Sequence, residues 1–150
     1  VAVAATLGLV RGDTGVAGAV LFNDVAIVHE SYYRPPVKFQ CVDGFLGVGP
    51  ECVPLQRLGG LEGLAGLQLE LRINGVYRQT TVLAELVRDA ATLLADVNEF
   101  MTLRCGDVLM LGSDCLPDGT RALVHAGDTV EISATGFKPA VHRFEQEVIA

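Results

Sequence analysis

The chain has 150 residues, half of them hydrophobic, with 17 glycines, no tryptophan and a formal charge of -7. That length suits a single domain over residues 1–150, able to bury about two-thirds of its extended surface, and the composition excludes a disordered chain. The acidic balance, with a pI near 4.8, argues against nucleic-acid or anionic-membrane partners, which need a basic footprint, and leaves open a small anion held in a local cationic pocket. No stretch approaches the ~20 apolar residues of a membrane span, and the apolar start lacks the basic flank of a signal peptide, so a cytoplasmic protein is expected.

In chain order, Val1 to Val10 (VAVAATLGLV) is apolar and partly β-branched, too short and too broken by glycine for a helix, and predicts a buried strand. Arg11-Gly12-Asp13-Thr14-Gly15 reads as a turn. A second apolar run, Ala19-Val20-Leu21-Phe22, delivers the chain to Asn23-Asp24, where the strand is expected to give way to a loop and the carboxylate to face a cavity. His29, Glu30, Tyr32, Tyr33 and Arg34 follow, and Pro35-Pro36 stops any helix and stiffens the path. A rigid loop carrying acid, base and guanidinium is a candidate catalytic or binding loop. An Asn-Asp pair is also ordinary turn chemistry, and a His beside a Glu an ordinary solvated pair, so spacing alone leaves both readings open. Asp43-Gly44-Phe45 and Gly47-Val48-Gly49-Pro50 close the segment with glycines that permit turns or close backbone approach.

From Leu55 to Gly66 leucine alternates with glycine, which has neither helix nor strand period and predicts a loop. Leu67, Leu69, Leu71 and Ile73 then alternate with polar residues as in a half-buried strand. Asn74-Gly75 is a strong signal for a two-residue hairpin, with Val76 to Thr80 returning. From Thr81 to about Phe100 the apolar positions Leu83, Leu86, Val87, Ala90, Leu94 and Val97 recur at helical spacing, predicting one long helix with that set buried. Cys105-Gly106-Asp107 and Ala126-Gly127-Asp128 read as turns feeding strands. His125 and His142 have no carboxylate or cysteine at ligand spacing and are expected at the surface or satisfied. Cys41, Cys52, Cys105 and Cys115 form no CxxC pair and are expected as reduced, buried small hydrophobes. Together these elements predict an α+β fold, mostly β, with mixed or antiparallel sheet.

NDVAIVHESYYRP followed by DGFLGVGP resembles the core signature of the fumarylacetoacetate hydrolase family. LELRINGVYRQTT, NEFMTLRCGDVLMLGS and HAGDTVEISATGF resemble the same family's hairpin, helix end and two Gly-Asp turns in the same order, so the resemblance covers nearly the whole chain. It implies a mixed β-roll or sandwich with one long packed helix. The chemistry it implies is that of an isomerase/decarboxylase acting, through an enolate, on an unsaturated 2-oxo (2-hydroxydienoic) dicarboxylate of aromatic-compound catabolism. In the family a divalent cation, Mg2+ or another, chelates the carboxylate and the neighbouring oxygen and acts as an electron sink. Carried over residue by residue, Asp24 is the metal ligand, His29 and Glu30 are the catalytic acid/base candidates, Arg34 and Lys38 the cations for substrate carboxylates, and Ser113 a substrate-binding hydroxyl.

The chain departs from the family pattern where the metal should sit. Ala4 and Thr6 stand in place of a Glu-x-Glu pair, and Gln40 in place of a substrate-binding lysine. One Asp is a poor anchor for Mg2+, so any metal is expected to be held weakly or not at all. The N-terminal half of tandem family members shares this departure, and the chain, which reads as abbreviated at its own N-terminus, is expected to resemble that half. The partners implied are a small anionic 2-oxo acid and either further copies of the chain or a homologous family domain. The alternative to catalysis is a metal-ligand-deficient domain that supports a metal-competent partner.

Overall fold

The computed structural model describes residues 1–29 and 37–147. Strand β1 (Ala2–Arg11) turns through Gly12, whose N–H donates to Gly15 O at 2.7 Å, into the antiparallel β2 (Val16–Ala26). The two pair from Ala2 opposite Ala26 to Val10 opposite Gly18. The strand does not give way at Asn23-Asp24 as predicted. α1 (Val37–Gln40) and β3 (Leu46–Val48) supply backbone partners for its far end. Ile27 N donates to Phe39 O (2.8 Å), Val25 N to Phe45 O (3.1 Å), and Phe22 to Asp24 pair with Val48 to Leu46. The carboxylate of Asp24 is therefore fixed on a strand. β4 (Val53–Pro54) pairs with the start of β2.

The Leu-Gly segment is not a plain loop. It winds into a 3-10 turn at Leu55–Leu58, α2 (Gly60–Gly63) and a second 3-10 turn at Leu64–Gly66. Left-handed Gly59 and Gly60 (φ 80° and 76°) reverse the chain between turns, a conformation open to glycine at little cost. Leu64 is thereby delivered into the core. β5 (Gln68–Ile73) and β6 (Val76–Val82) form the expected hairpin, with Ile73 opposite Val76 and φ of 52° and 77° at Asn74 and Gly75.

The predicted helix over Thr81–Phe100 is corrected. Thr81 and Val82 finish β6, because Val82 pairs with Gln68 and the Thr81 hydroxyl reaches Ala5 O at 3.3 Å. Leu83–Glu85 is a 3-10 turn, and α3 covers Ala90–Asn98 only, begun by the Asp89 carboxylate accepting from Thr92 N at 2.7 Å. Leu83 and Ala90 are buried, Leu86, Leu94 and Val97 partly so, and Val87, expected inside, is fully exposed.

The two Gly-Asp turns share one construction. Asp107 accepts from Arg104 N (2.7 Å) ahead of β7 (Val108–Met110), and Asp128 from His125 N (2.8 Å). Between them β8 (Ala122–Leu123) crosses beside β1, and the second turn feeds β9 (Thr129–Ser133), which β10 (Ala140–Arg143) follows. One sheet runs β3-β2-β1-β7, with β4 also on β2 and β8 on β1; the other runs β10-β9-β5-β6, and the pairs are antiparallel. Their facing side chains, among them Leu7, Leu21, Leu69, Leu71 and Ile132, make one core. The mostly β architecture with few helices is thus as expected. The cysteines form no disulfide, as expected, but all four are exposed rather than buried. Among the described residues no helix is long and apolar enough to cross a membrane.

Candidate functional site

Successive residues of a strand face opposite sides, so Asn23 and Asp24 cannot serve one site. Asn23 turns to the core side, fully buried, and borders a depression of 810 Å³ with Phe45, Gly47 and His142, where His142 Nε2 lies 3.2 Å from Val48 O. Asp24 turns to the other face. Ala4 is directly opposite it on β1, and Thr6, two residues on, shares the same side.

On the far edge of β1, Val3 pairs with Ala122 and Ala2 with Leu123; continuing that register by one residue sets Arg121 beside Ala4. Asp24, Ala4 and Arg121 thus form one row across the sheet. The guanidinium reaches over the alanine, and its Nη2 lies 2.9 Å from Asp24 Oδ2 and 3.5 Å from Ser113 Oγ. Thr6 Oγ1 donates to Gly112 O at 2.6 Å, holding the turn that carries Ser113 against the sheet.

Arg121 also lines a cleft of 620 Å³ together with His29, Gln40, Ala26, Ile27 and Thr120. His29 is stacked on Phe39 (ring centroids 4.4 Å apart, 17° between planes), and its Nδ1 is buried with no hydrogen-bond partner among the described residues. Lys38 remains exposed, with Nζ 4.9 Å from the Phe39 ring centroid. Of the residues expected to converge, Asp24 and Ser113 meet through Arg121, and His29 shares Arg121's cleft, while Lys38 is not among the residues that line it. Glu30 and Arg34 lie outside the described residues. Arg121 was not foreseen, because no local spacing links it to Asp24; only the pairing of β1 with strands on both sides does.

The donor set does not suit a divalent cation. No group of three or more His, Cys, Asp or Glu side chains clusters among the described residues. The one carboxylate of the row is engaged by a guanidinium, its neighbour Ala4 offers no oxygen, and the Thr6 hydroxyl is committed to Gly112 O. A metal at Asp24 would have to displace Arg121 and find its remaining oxygens elsewhere.

Related proteins carry the same elements. The chain is 36% identical over 146 residues to the 4-hydroxyphenylacetate degradation bifunctional isomerase/decarboxylase of Escherichia coli, covering 90% of this chain and 32% of that protein. It spans about a third of the length of the curated relatives it matches first. In fold, 5-carboxymethyl-2-hydroxymuconate delta-isomerase from Mycobacterium smegmatis superposes with a TM-score of 0.83 at 22% identity, covering 99% of this chain and 60% of that one. Maleylpyruvate hydrolase from Sphingobium sp. SYK-6, solved in complex with manganese (II) ion and pyruvate, superposes with a TM-score of 0.82 at 22% identity, covering 97% and 54%. With residues 10–145 also matching the family model described as fumarylacetoacetate (FAA) hydrolase C-terminal, the chain belongs to the fumarylacetoacetate hydrolase family.

Proposed function

We propose that the chain is a catalytic domain of an isomerase/decarboxylase that acts on an unsaturated 2-oxo dicarboxylate in aromatic-compound catabolism, through an enolate. The observation that carries this reading is the cleft in which a guanidinium anchored by Asp24 faces a histidine whose Nδ1 has no partner among the described residues. Arg121 grips a substrate carboxylate with its planar fork and offsets the charge that moves onto the adjacent oxygen as the carbon skeleton becomes an enolate. In isomerisation His29 takes the proton from one carbon and returns it to another; in decarboxylation it passes a proton drawn from solvent to the carbon that carbon dioxide leaves. Glu30 is assigned as the second acid/base, Arg34 and Lys38 as cations for the far carboxylate, and Ser113 as a hydrogen-bonding group beside Arg121. The relative at 36% identity, itself a bifunctional isomerase/decarboxylase of 4-hydroxyphenylacetate degradation, supports the reaction type and its catabolic setting.

A second reading is a family domain without its own catalysis that supports a metal-competent partner domain, whether in the same protein or in a further copy. It is favoured by the donor set around Asp24, which lacks the oxygens of a metal shell, and by the span of about a third of the relatives' length.

The test is turnover of 2-hydroxyhepta-2,4-diene-1,7-dioate and of its carboxylated precursor by the full protein and by Asp24→Ala. Catalysis in this domain predicts turnover that falls at least tenfold in the variant, because Arg121 loses its anchor. Turnover undiminished in Asp24→Ala would sink the catalytic reading and leave the supporting one.

A further inference from the structure

Asp24 on β2 and Arg121, the residue before β8, lie on opposite sides of β1, each about 4.8 Å from it, so their backbones are roughly 10 Å apart. An arginine side chain bridges that span only if the residue between them has no bulk on the same face, and that residue is Ala4. The bridge is made, at 2.9 Å, by Nη2. Nη1, by contrast, is buried and has no acceptor among the described residues, in a side chain that lines the 620 Å³ cleft. Nη1 is itself closed to the cleft, and an anionic ligand would meet Arg121 through the 26% of the side chain that remains exposed.

The geometry points to a guanidinium in the place of a cation: Arg121, anchored on Asp24 across Ala4, is the fixed positive charge of this cleft, and the domain binds the carboxylate of a 2-oxo acid through it without a divalent metal. This deepens the reading of the cleft as a 2-oxo dicarboxylate site and rests on it. A metal and this guanidinium exclude each other at Asp24, since two positive charges would then crowd one carboxylate while the positions of Ala4 and Thr6 offer a methyl and an already committed hydroxyl. The small residue at Ala4 is therefore more than a lost ligand; it is the opening through which the arginine passes.

Calorimetric titration of 2-oxoglutarate, a saturated 2-oxo dicarboxylate, into the full protein stripped with EDTA tests this. Binding is expected without metal, weakened roughly 10- to 100-fold in Arg121→Ala. Arg121→Lys should lose less, because an ammonium keeps the charge and forfeits only the fork; thermal melts establish that both variants fold. Binding that appears only after Mn2+ is added, stripped Arg121→Ala that binds as tightly as wild type, or no binding under either condition would overturn the inference. Binding is read here without turnover, so an inactive protein that holds 2-oxoglutarate through Arg121 refutes the catalytic reading alone. An active one whose binding requires Mn2+ refutes this inference alone.

Discussion

The two faces of the β1–β2 ribbon are both almost wholly shielded from water, yet they use their burial differently. On the core face Val3, Ala5, Leu7 and Leu9 of β1 meet Ala19, Leu21 and Val25 of β2, and what matters there is filled volume. On the cleft face each position has a size and a task of its own. Ala4 leaves the path of Arg121 open, Thr6 holds Gly112, and Gly8 lies beneath the Phe22 ring, where a Cβ would collide with that ring and come 2.6 Å from Val108. Burial alone cannot separate a packing face from a functional one; the demand for one particular residue can.

The sharpest way to break this contrast is to put alanine at one position on each face. Leu7→Ala should cost about 3–5 kcal/mol in urea unfolding, from lost transfer energy and the cavity left behind, while leaving the affinity of the remaining folded protein for 2-oxoglutarate unchanged. A loss of affinity to match would mean that the core face also serves the site. Gly8→Ala should cost less, about 1–3 kcal/mol, through overpacking against Phe22 and Val108. A neutral result would show that the ring can move aside and that the cleft face does not require glycine at that position.

The smallest effect belongs to a control remote from both faces. Asp128 closes its own turn, and its carboxyl is held below the usual carboxylate value by the backbone N–H of His125 first and the side-chain amide of Asn74 second. Because the folded value lies below the unfolded value of about 3.9, Asp128 adds stability above that pH which is lost as pH falls through the folded value. The melting temperature advantage of wild type over Asp128→Asn, present at pH 7, should shrink below about pH 4 and vanish in stronger acid. An advantage constant across that range would show that the turn needs the side chain's shape rather than its charge.

What the sequence made legible was whatever a few neighbouring residues decide. Asn74-Gly75 specified its turn because both residues tolerate positive φ and the flanking alternation set the register. The apolar run from Val1 to Val10 specified a strand for similar reasons. Leu83 and Leu86 misled, since their spacing suits a helix, but sheet pairing at Val82 holds the chain extended and the Asp89 cap delays the helix to Ala90. Asn23-Asp24 misled in the same way: turn chemistry was overridden by partners from Phe39, Phe45 and Leu46, more than ten residues away. In the site, Asp24 and His29 were marked by their residue types, whereas Arg121 acquires its role only once three strands are aligned.

That alignment joins residues 97 positions apart, and it sets an order in time. A ribosome adding about 5–20 residues per second delivers Arg121 roughly 5–20 s after Asp24. Until then the nascent β1–β2 ribbon carries a lone carboxylate beside Ala4, with no Arg121 ahead of β8 to answer it. Recognition of an anion is thus a property acquired late in synthesis, and a nascent chain that pairs β1 and β2 but has not yet received β8 would be folded there and still blind to its ligand.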